Sequence, residues 1–289
     1  MRVRAVIALL LACGCNQVLG LDPVSQTIID ANLMDADLRA DLDADGLADV
    51  NDPCIAGPVD DLVDLDFDGI PSGVDGCPLD ANEQDADQDG VAAACDAFPD
   101  VAGDRRRCVM SFRDIDLNPL LWQPRPGSAG WHVAGMTTIG AGTGAIVAVT
   151  PLEAATGVTT YVVHGQLASE QVAGTPSFRV IVRGAPDTAD RDAGCELSLD
   201  RGRLELAVVP RGGPTTTLSN VGYFTLRATF ATTPGAGNDL RCDLLLPDGM
   251  SASLTEKVPL SPGRFAFVAT TVRMSLVGLG VYERADVPR

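Results

Sequence analysis

Aspartate residues recur at fixed intervals between positions 41 and 96, and their spacing would allow them to bind a cation. A hexapeptide with Asp at positions 1, 3 and 5 and Gly at position 6 occurs three times. Each copy has another Asp eleven residues after its first, which defines loops 1, 2 and 3 (residues 41–52, 64–75 and 85–96). The acidic residues are Asp41, Asp43, Asp45 and Asp52 in loop 1; Asp64, Asp66, Asp68 and Asp75 in loop 2; and Asp85, Asp87, Asp89 and Asp96 in loop 3.

This spacing is typical of a calcium loop. Carboxylates at positions 1, 3 and 5 converge on one ion when the chain turns at a glycine in position 6, and a carboxylate at position 12 closes the shell. An all-oxygen ligand set favours calcium over magnesium, and the absence of His and thiolate ligands argues against zinc. Position 7 would add a backbone carbonyl from Leu47, Ile70 or Val91, and loop 1 has a further carboxylate in Asp49.

The alternative for the same stretch is an acidic disordered linker, because low hydrophobicity combined with high charge normally prevents folding. Three copies in register, each with Asp at position 12, favour the metal loops. We expect the acidic segment, residues 41–104, to be ordered by calcium and to resemble a linker without it.

Loops 2 and 3 and the residues around them resemble the thrombospondin type 3 repeats. The resemblance is carried by the stretch from Asp64 to Pro78 and by Asn82 to Pro99, about a fifth of the chain. It implies repeats that wrap calcium with little regular secondary structure, joined by disulfides. Cys77 and Cys95 stand where that family places its bridge between repeats.

The charge of the chain is concentrated in this region. Residues 35–104 hold twenty Asp and one Glu against one Arg, a net charge of −20, whereas the whole chain carries −18. The remainder offers no basic face of the kind that binds nucleic acid, so nucleic acid is excluded as a partner. Three arginines at 105–107 could pair with the end of the acidic segment or remain solvated, and we expect the second.

The N-terminus has the pattern of a signal peptide. Arg2 and Arg4 precede an apolar run that is too short to span a bilayer. The following residues resemble a bacterial lipobox, in which either Cys13 or Cys15 would carry the lipid. Modification at Cys15 leaves an even number of cysteines, so we favour it. An ordinary secretory signal with unmodified Cys is the alternative. We expect residues 1–15 to be a lipoprotein signal peptide and residues 16–40 to be a flexible tether.

Residues 108–289 show the pattern of an all-β domain. Short runs rich in Val, Thr, Leu and Phe alternate with Gly, Pro, Asn or Asp turns, and segments such as 178–183 and 204–208 alternate apolar with polar residues. About eleven such strands without a convincing helix predict a β-sandwich or barrel. The predicted strands are 110–116, 131–139, 145–150, 159–167, 177–183, 195–199, 203–209, 223–230, 240–246, 264–269 and 272–283.

The order of features in this domain also resembles the laminin G and concanavalin A-like jelly-roll modules. The points of resemblance are Phe112, Trp122, the stretch from Gly130 to Gly135, and the stretch from Gly263 to Phe267. The resemblance implies an antiparallel sandwich whose concave sheet or rim loops bind glycans or proteins.

The cysteines outside the signal peptide can be paired in part. Cys195 and Cys242 both lie in predicted strands of the β-domain, so we expect them to form a disulfide with each other. Cys54 and Cys108 remain as a pair by elimination. No two cysteines have the close spacing of a zinc knuckle.

Residues that could support catalysis are sparse. Glu196 and Glu205 lie on neighbouring predicted strands, but isolated Glu on a solvent-facing strand is the commoner situation. His132 and His164 have no partner in a recognisable nucleophile motif. Trp122 and Trp131 could form a sugar-stacking platform, although such residues more often belong to a core.

The sequence therefore predicts a calcium-binding lipoprotein of the cell envelope, anchored to the outer membrane or cell surface. Its acidic segment would present a non-catalytic sandwich that recognises a glycan or a cell-surface protein. The alternatives are a carbohydrate-active hydrolase on the same sandwich and a purely structural envelope protein.

Overall fold

The computed structural model describes the second half of the acidic segment and most strands of the β-domain. The described residues are 64–81, 84–112, 122–125, 131–134, 136–139, 143–148, 157–167, 176–184, 192–200, 203–210, 216–218, 222–233, 237–258, 264–270, 272 and 274–284.

Fifteen β-strands form the regular structure of this part of the chain, and it contains no helix. The strands are β1 (Arg105–Ser111), β2 (Trp122–Pro124), β3 (Trp131–Ala134), β4 (Met136–Ile139), β5 (Thr143–Ala148), β6 (Gly157–Leu167), β7 (Ser177–Gly184), β8 (Ala193–Asp200), β9 (Arg203–Val209), β10 (Thr216–Leu218), β11 (Tyr223–Thr233), β12 (Gly237–Leu245), β13 (Ser251–Val258), β14 (Arg264–Thr270) and β15 (Met274–Arg284).

Two large antiparallel sheets contain nearly all of these strands. Sheet A has six strands in the order β1-β15-β6-β11-β12-β13, and sheet B has seven in the order β10-β9-β8-β7-β14-β5-β2. β3 and β4 pair only with each other, so the single strand predicted over 131–139 is wrong and is replaced by two short antiparallel strands. The predicted all-β class and antiparallel β-sandwich are confirmed.

Aromatic side chains from both sheets form the core of the sandwich. Tyr161 of sheet A packs against Phe265 of sheet B with ring centroids 4.7 Å apart, and Phe224 packs against Phe178 at 6.1 Å. Because side chains alternate along a strand, the residues next to Tyr161 and Phe224 in sequence point away from the core. They form the outer face of sheet A.

The disulfides predicted from the sequence are present wherever the structure describes both cysteines. Cys195 on β8 and Cys242 on β12 form a disulfide that joins the two sheets, and Cys77 and Cys95 form a second one inside the acidic segment. Cys108 is buried and disulfide-bonded. Cys54, its predicted partner, lies outside the described residues.

The described part of the acidic segment (residues 64–81 and 84–104) packs on the outer face of sheet A, within the compact unit formed by residues 41–289. Leu65, Leu79 and Cys95 of the segment form one buried cluster with Val162 and Tyr282 of the sheet. Burying apolar residues of both parts in one cluster stabilises the packed arrangement. The described part of the acidic segment has turns and bends but no strand or helix before β1.

A glycine of sheet A permits this close packing. A Cβ atom at Gly278 on β15 would lie 2.6 Å from the Leu79 Cδ2 atom and 2.9 Å from the backbone oxygen of Met110. Any larger residue would have to displace the buried Leu79 side chain and the backbone of β1, so this close packing favours glycine at the position.

Three arginines fasten the backbone of the acidic segment to sheet A. They are Arg106 on β1, Arg227 on β11 and Arg284 on β15, and each donates hydrogen bonds to several backbone carbonyls. The expectation that residues 105–107 are all solvated is therefore wrong for Arg106. The acceptors are the carbonyls of Ser72, Gly73 and Asp75 for Arg106; Ala93, Ala94 and Asp96 for Arg227; and Val101 and Ala102 for Arg284.

Candidate metal centres

Loop 2 folds around the carboxylate of its first residue. The Asp64 Oδ1 atom accepts a hydrogen bond from the Phe67 N–H at 2.6 Å, and its Oδ2 atom accepts one from the Gly69 N–H at 2.9 Å. Phe67 has φ 66° and Gly69 has φ 94°. The sharp turn predicted at the glycine is present, because only a left-handed backbone lets both N–H groups point at one carboxylate.

Loop 3 repeats this geometry residue for residue. The Asp85 Oδ1 atom accepts from the Gln88 N–H at 2.7 Å, and its Oδ2 atom accepts from the Gly90 N–H at 2.9 Å. Gln88 has φ 62° and Gly90 has φ 92°. The sequence repeat is therefore also a structural repeat, and the carboxylates of both loops are brought together in the same way.

Three groups of carboxylates converge in these loops, each with oxygens within 4.8 Å of one another. Loop 2 contributes one group and loop 3 a second, and two residues of loop 3 form the third group together with Asp104. The groups are Asp64, Asp66 and Asp68; Asp85, Asp87 and Asp89; and Asp89, Asp96 and Asp104.

Two carboxylate oxygens in these groups are buried without a hydrogen-bond donor. The Oδ2 atoms of Asp66 and Asp87 are buried and accept no hydrogen bond. A buried carboxylate oxygen without a donor is costly, and a cation in the loop would satisfy it. These atoms occupy the same loop position, position 3, so the donor set fits a hard, oxygen-seeking cation in both loops.

The pKa values of the carboxylates are raised at some loop positions and lowered at others. Burial raises the pKa of Asp66 to about 6 and the pKa of Asp96 to about 7, the latter with a further contribution from Asp104. The Gly90 N–H lowers the pKa of Asp85, which lies at position 1 of its loop. Burial therefore disfavours the ionised form of the inner carboxylates, and a bound cation would favour it.

Other predicted ligands fall in different places. Asp75 is buried, its Oδ1 atom accepts the Cys77 N–H at 2.7 Å, and it is not among the three converging carboxylates of loop 2. Ile70 and Val91 directly follow the glycines of their loops, as predicted for position 7. The remaining predicted ligands lie outside the described residues: Asp41, Asp43, Asp45, Leu47, Asp49 and Asp52.

The third group contains one acidic residue that was not predicted from the sequence. Asp104 joins the third group because its backbone N–H donates to the Asp89 Oδ2 atom at 2.7 Å. Its carboxylate accepts a hydrogen bond from Arg284 at 2.9 Å. No fixed spacing links Asp104 to loop 3, so only the fold reveals its place beside Asp96.

A groove of about 860 Å³ lies between loop 2 and the outer face of sheet A. We call it the junction groove; its lining includes Phe67 and Asp80 from the acidic segment and His164 and Tyr223 from the sheet. The His164 and Tyr223 rings are nearly parallel, at 16°, with centroids 5.9 Å apart. No functional role was predicted for His164, because nothing in the sequence shows that β6 and β11 are neighbours.

The other candidate residues of the β-domain lie elsewhere. Trp122 is buried and stacks on Phe267, so it belongs to the core. Glu196 and Glu205 are half-buried on β8 and β9, in sheet B, where Glu205 is the pairing partner of Ser198. They therefore lie diagonally on one face, away from the junction groove.

The chain has distant likenesses in structure to known proteins. A protein of unknown function from Shewanella oneidensis MR-1 is 12% identical with a TM-score of 0.44, covering 65% of this chain and 90% of that one. A Bacillus licheniformis beta-glucanase is 12% identical (TM-score 0.40, covering 64% and 99%), and lectin II from Ulex europaeus is 10% identical (TM-score 0.42, covering 62% and 100%). No protein-family model and no curated protein matches the chain. TM-scores below 0.5 assign it to none of these families.

The membrane anchor predicted from the sequence falls on the N-terminal region. Cys13 and Cys15 lie outside the described residues. Within the described ranges, no helix has the length and apolarity needed to cross a bilayer.

Proposed function

We propose that this chain is a calcium-binding protein whose acidic segment, once loaded with metal, braces a non-catalytic recognition sandwich. The single observation that carries the proposal is the identical geometry of loops 2 and 3. In both, position 1 anchors the turn and position 3 holds a buried oxygen without a donor. Two separate stretches folding the same way around converging carboxylates support a shared ligand.

Calcium is the ion that this ligand chemistry suits best. Asp64, Asp66 and Asp68 would hold it in loop 2, and Asp85, Asp87 and Asp89 in loop 3, with Asp96 and Asp104 extending the second of these. All the donors are oxygens, which favours a hard cation, and flexible loops suit the larger shell of calcium over the strict octahedron of magnesium. The bound ion would supply positive charge that balances the clustered carboxylates.

Isothermal titration calorimetry on the chain without residues 1–15 tests this directly. We expect uptake of about three calcium ions with dissociation constants on the order of 10⁻⁴ to 10⁻³ M, as for exposed extracellular sites. Magnesium at the same concentration serves as the matched control and should bind more weakly. No heat above dilution, or equal binding of both ions, would refute the calcium proposal.

We propose that the sandwich recognises a glycan or a cell-surface protein. The second candidate function is that of a carbohydrate-active hydrolase. The diagonal placement of Glu196 and Glu205 is the one observation that favours the second, because glycoside hydrolysis uses two carboxylates. Release of reducing sugar that is lost in both Glu196→Gln and Glu205→Gln, with the fold retained, would establish the hydrolase.

We further propose that the chain is lipid-anchored through Cys15 to the cell envelope. The support is the lipobox-like sequence and the even number of cysteines left after processing there. Mass spectrometry of the mature N-terminus distinguishes the possibilities. A lipid on Cys13 would reverse the choice of residue, and an unmodified N-terminus beyond Cys15 would remove the anchor.

A further inference from the structure

The junction groove has the composition of a ligand site rather than of an imperfect packing seam. Four large apolar residues are exposed among the described residues, and both aromatic ones, Phe67 and Tyr223, line this groove. Phe67 is 74% exposed and Tyr223 is 50% exposed. Exposed aromatic rings that gather in one concave place, with polar groups between them, are typical of binding sites.

Hydrogen bonds hold one wall of the groove in place. The His164 Nδ1 atom lies 3.0 Å from the Thr225 Oγ1 atom, which in turn lies 3.4 Å from the Asp80 Oδ2 atom. This chain of contacts runs from sheet A to the acidic segment. It fixes the His164 ring, on which the exposed Tyr223 ring stacks, so that Tyr223 is held in place in the groove.

The charge of the lining restricts the chemistry of the ligand. The groove is lined by Asp66 and Asp80 but by no Lys or Arg, which disfavours an anion. Calcium on loop 2 would engage Asp66 and offset part of this negative charge, which weakens the attraction of the groove for a cation. A neutral ligand therefore suits the groove better than an anion or a cation, and it would offer a flat apolar face to the aromatic rings and hydroxyl groups to Asp80, Gln166 and Ser275.

A pyranose ring meets these requirements, because its C–H face is apolar and its rim carries hydroxyl donors and acceptors. We propose that the junction groove binds a neutral saccharide, and that calcium on loop 2 is needed for this binding. The inference rests on the proposed calcium function and names the recognition surface that accompanies it.

The dependence on calcium follows from the way loop 2 is built. Leu65 and Phe67 alternate in sequence with the converging Asp64, Asp66 and Asp68. The same left-handed turn that brings the carboxylates together holds Phe67 on the groove side. Without an ion, repulsion between the three carboxylates opposes this turn, and the wall of the groove is lost with it.

Calorimetric titration with neutral tetrasaccharides of glucose, galactose and mannose tests the inference on the chain without residues 1–15. At least one should bind the calcium-loaded protein, and chelator should abolish that binding. Tyr223→Ala should weaken it about tenfold or more, because the stacking surface is removed. Tyr223→Phe should retain most of the affinity, and Val74→Ala, at an exposed apolar position outside the groove lining, should change nothing.

Calcium uptake is measured on the same samples, so the two proposals can fail separately. Normal calcium uptake with no saccharide bound would overturn the groove assignment alone. Saccharide affinity that is unchanged in chelator would overturn its dependence on calcium, and affinity unchanged in Tyr223→Ala would place the site elsewhere. Binding of tetralysine in preference to the saccharides would show that the groove takes cationic peptides instead.

Discussion

Arg284 donates a hydrogen bond from its Nη1 atom to the Asp104 Oδ2 atom across 2.9 Å, and both side chains are almost completely buried. The pair joins β15 of sheet A to the end of the acidic segment, and the two residues are 180 positions apart in the chain. Asp104 also lies in the carboxylate group of Asp89 and Asp96. The ion pair therefore connects a candidate metal centre to the sandwich.

Arg284→Ala should destabilise the protein severely. It leaves the Asp104 carboxylate buried without its cation and removes the donors to Val101 and Ala102, and breaking a buried pair in this way costs about 3–5 kcal/mol. The free energy of unfolding is measured by urea titration in calcium. Arg105→Ala is the control: its partner is Glu283, but Arg105 is exposed, so the loss should stay below about 1 kcal/mol. Equal losses in the two variants would contradict the structural role of Arg284.

Asp68→Ala should remove one calcium site. Its carboxylate converges with those of Asp64 and Asp66, and its Oδ1 atom accepts the Ile70 N–H at 2.7 Å. Calorimetry should count one ion fewer than in the unaltered protein. Asp100→Ala removes the same charge from an exposed position outside the three carboxylate groups and should leave the count unchanged. If both variants lose an ion, or neither does, loop 2 is not a discrete site.

The metal-free protein should become less stable as pH rises from about 4 to about 7. Asp66 and Asp96 have pKa values raised by burial from 3.8 to about 6 and about 7, so the folded state favours their protonated forms. Their contribution is fully present below their unfolded pKa and is lost as pH rises through the folded values. The lowered pKa values of Asp64 and Asp85 act in the opposite sense, but only below about pH 4.

Calcium should reverse this trend, since it binds the ionised carboxylates and its affinity rises over the same pH interval. Urea unfolding at pH 5 and pH 8, in chelator and in calcium, gives the four midpoints that are needed. A chelated protein that gains stability between these two values would show that the inner carboxylates are not buried as the structure has them.

The β-domain could be predicted where strands alternate and are flanked by turns. The predicted strand 203–209 coincides with β9, whose apolar residues face the core. β13 was missed because it is an edge strand with a largely polar sequence and several exposed residues. β2 and β10 have only three residues each, too few for a periodic signal.

The candidate metal centres, likewise, could be predicted only where they are formed by residues close together in sequence. Local spacing was enough to identify the converging carboxylates of loops 2 and 3 and the turns at Gly69 and Gly90. It could not identify Asp104, the docking arginines or the junction groove, because these depend on which face of sheet A the acidic segment covers.

Hydrogen exchange of the acidic segment tests the central claim, that calcium holds it in this structure, most directly. The N–H groups to follow are those bonded to the position 1 carboxylates: Phe67 and Gly69 on Asp64, and Gln88 and Gly90 on Asp85. With calcium, all four should be protected, while in chelator they should exchange much faster, because repulsion between the ionised carboxylates opens the loops more often. The strands β6 and β11 serve as the internal reference and should stay protected in both conditions. Equal protection of the four N–H groups with and without calcium would contradict the account.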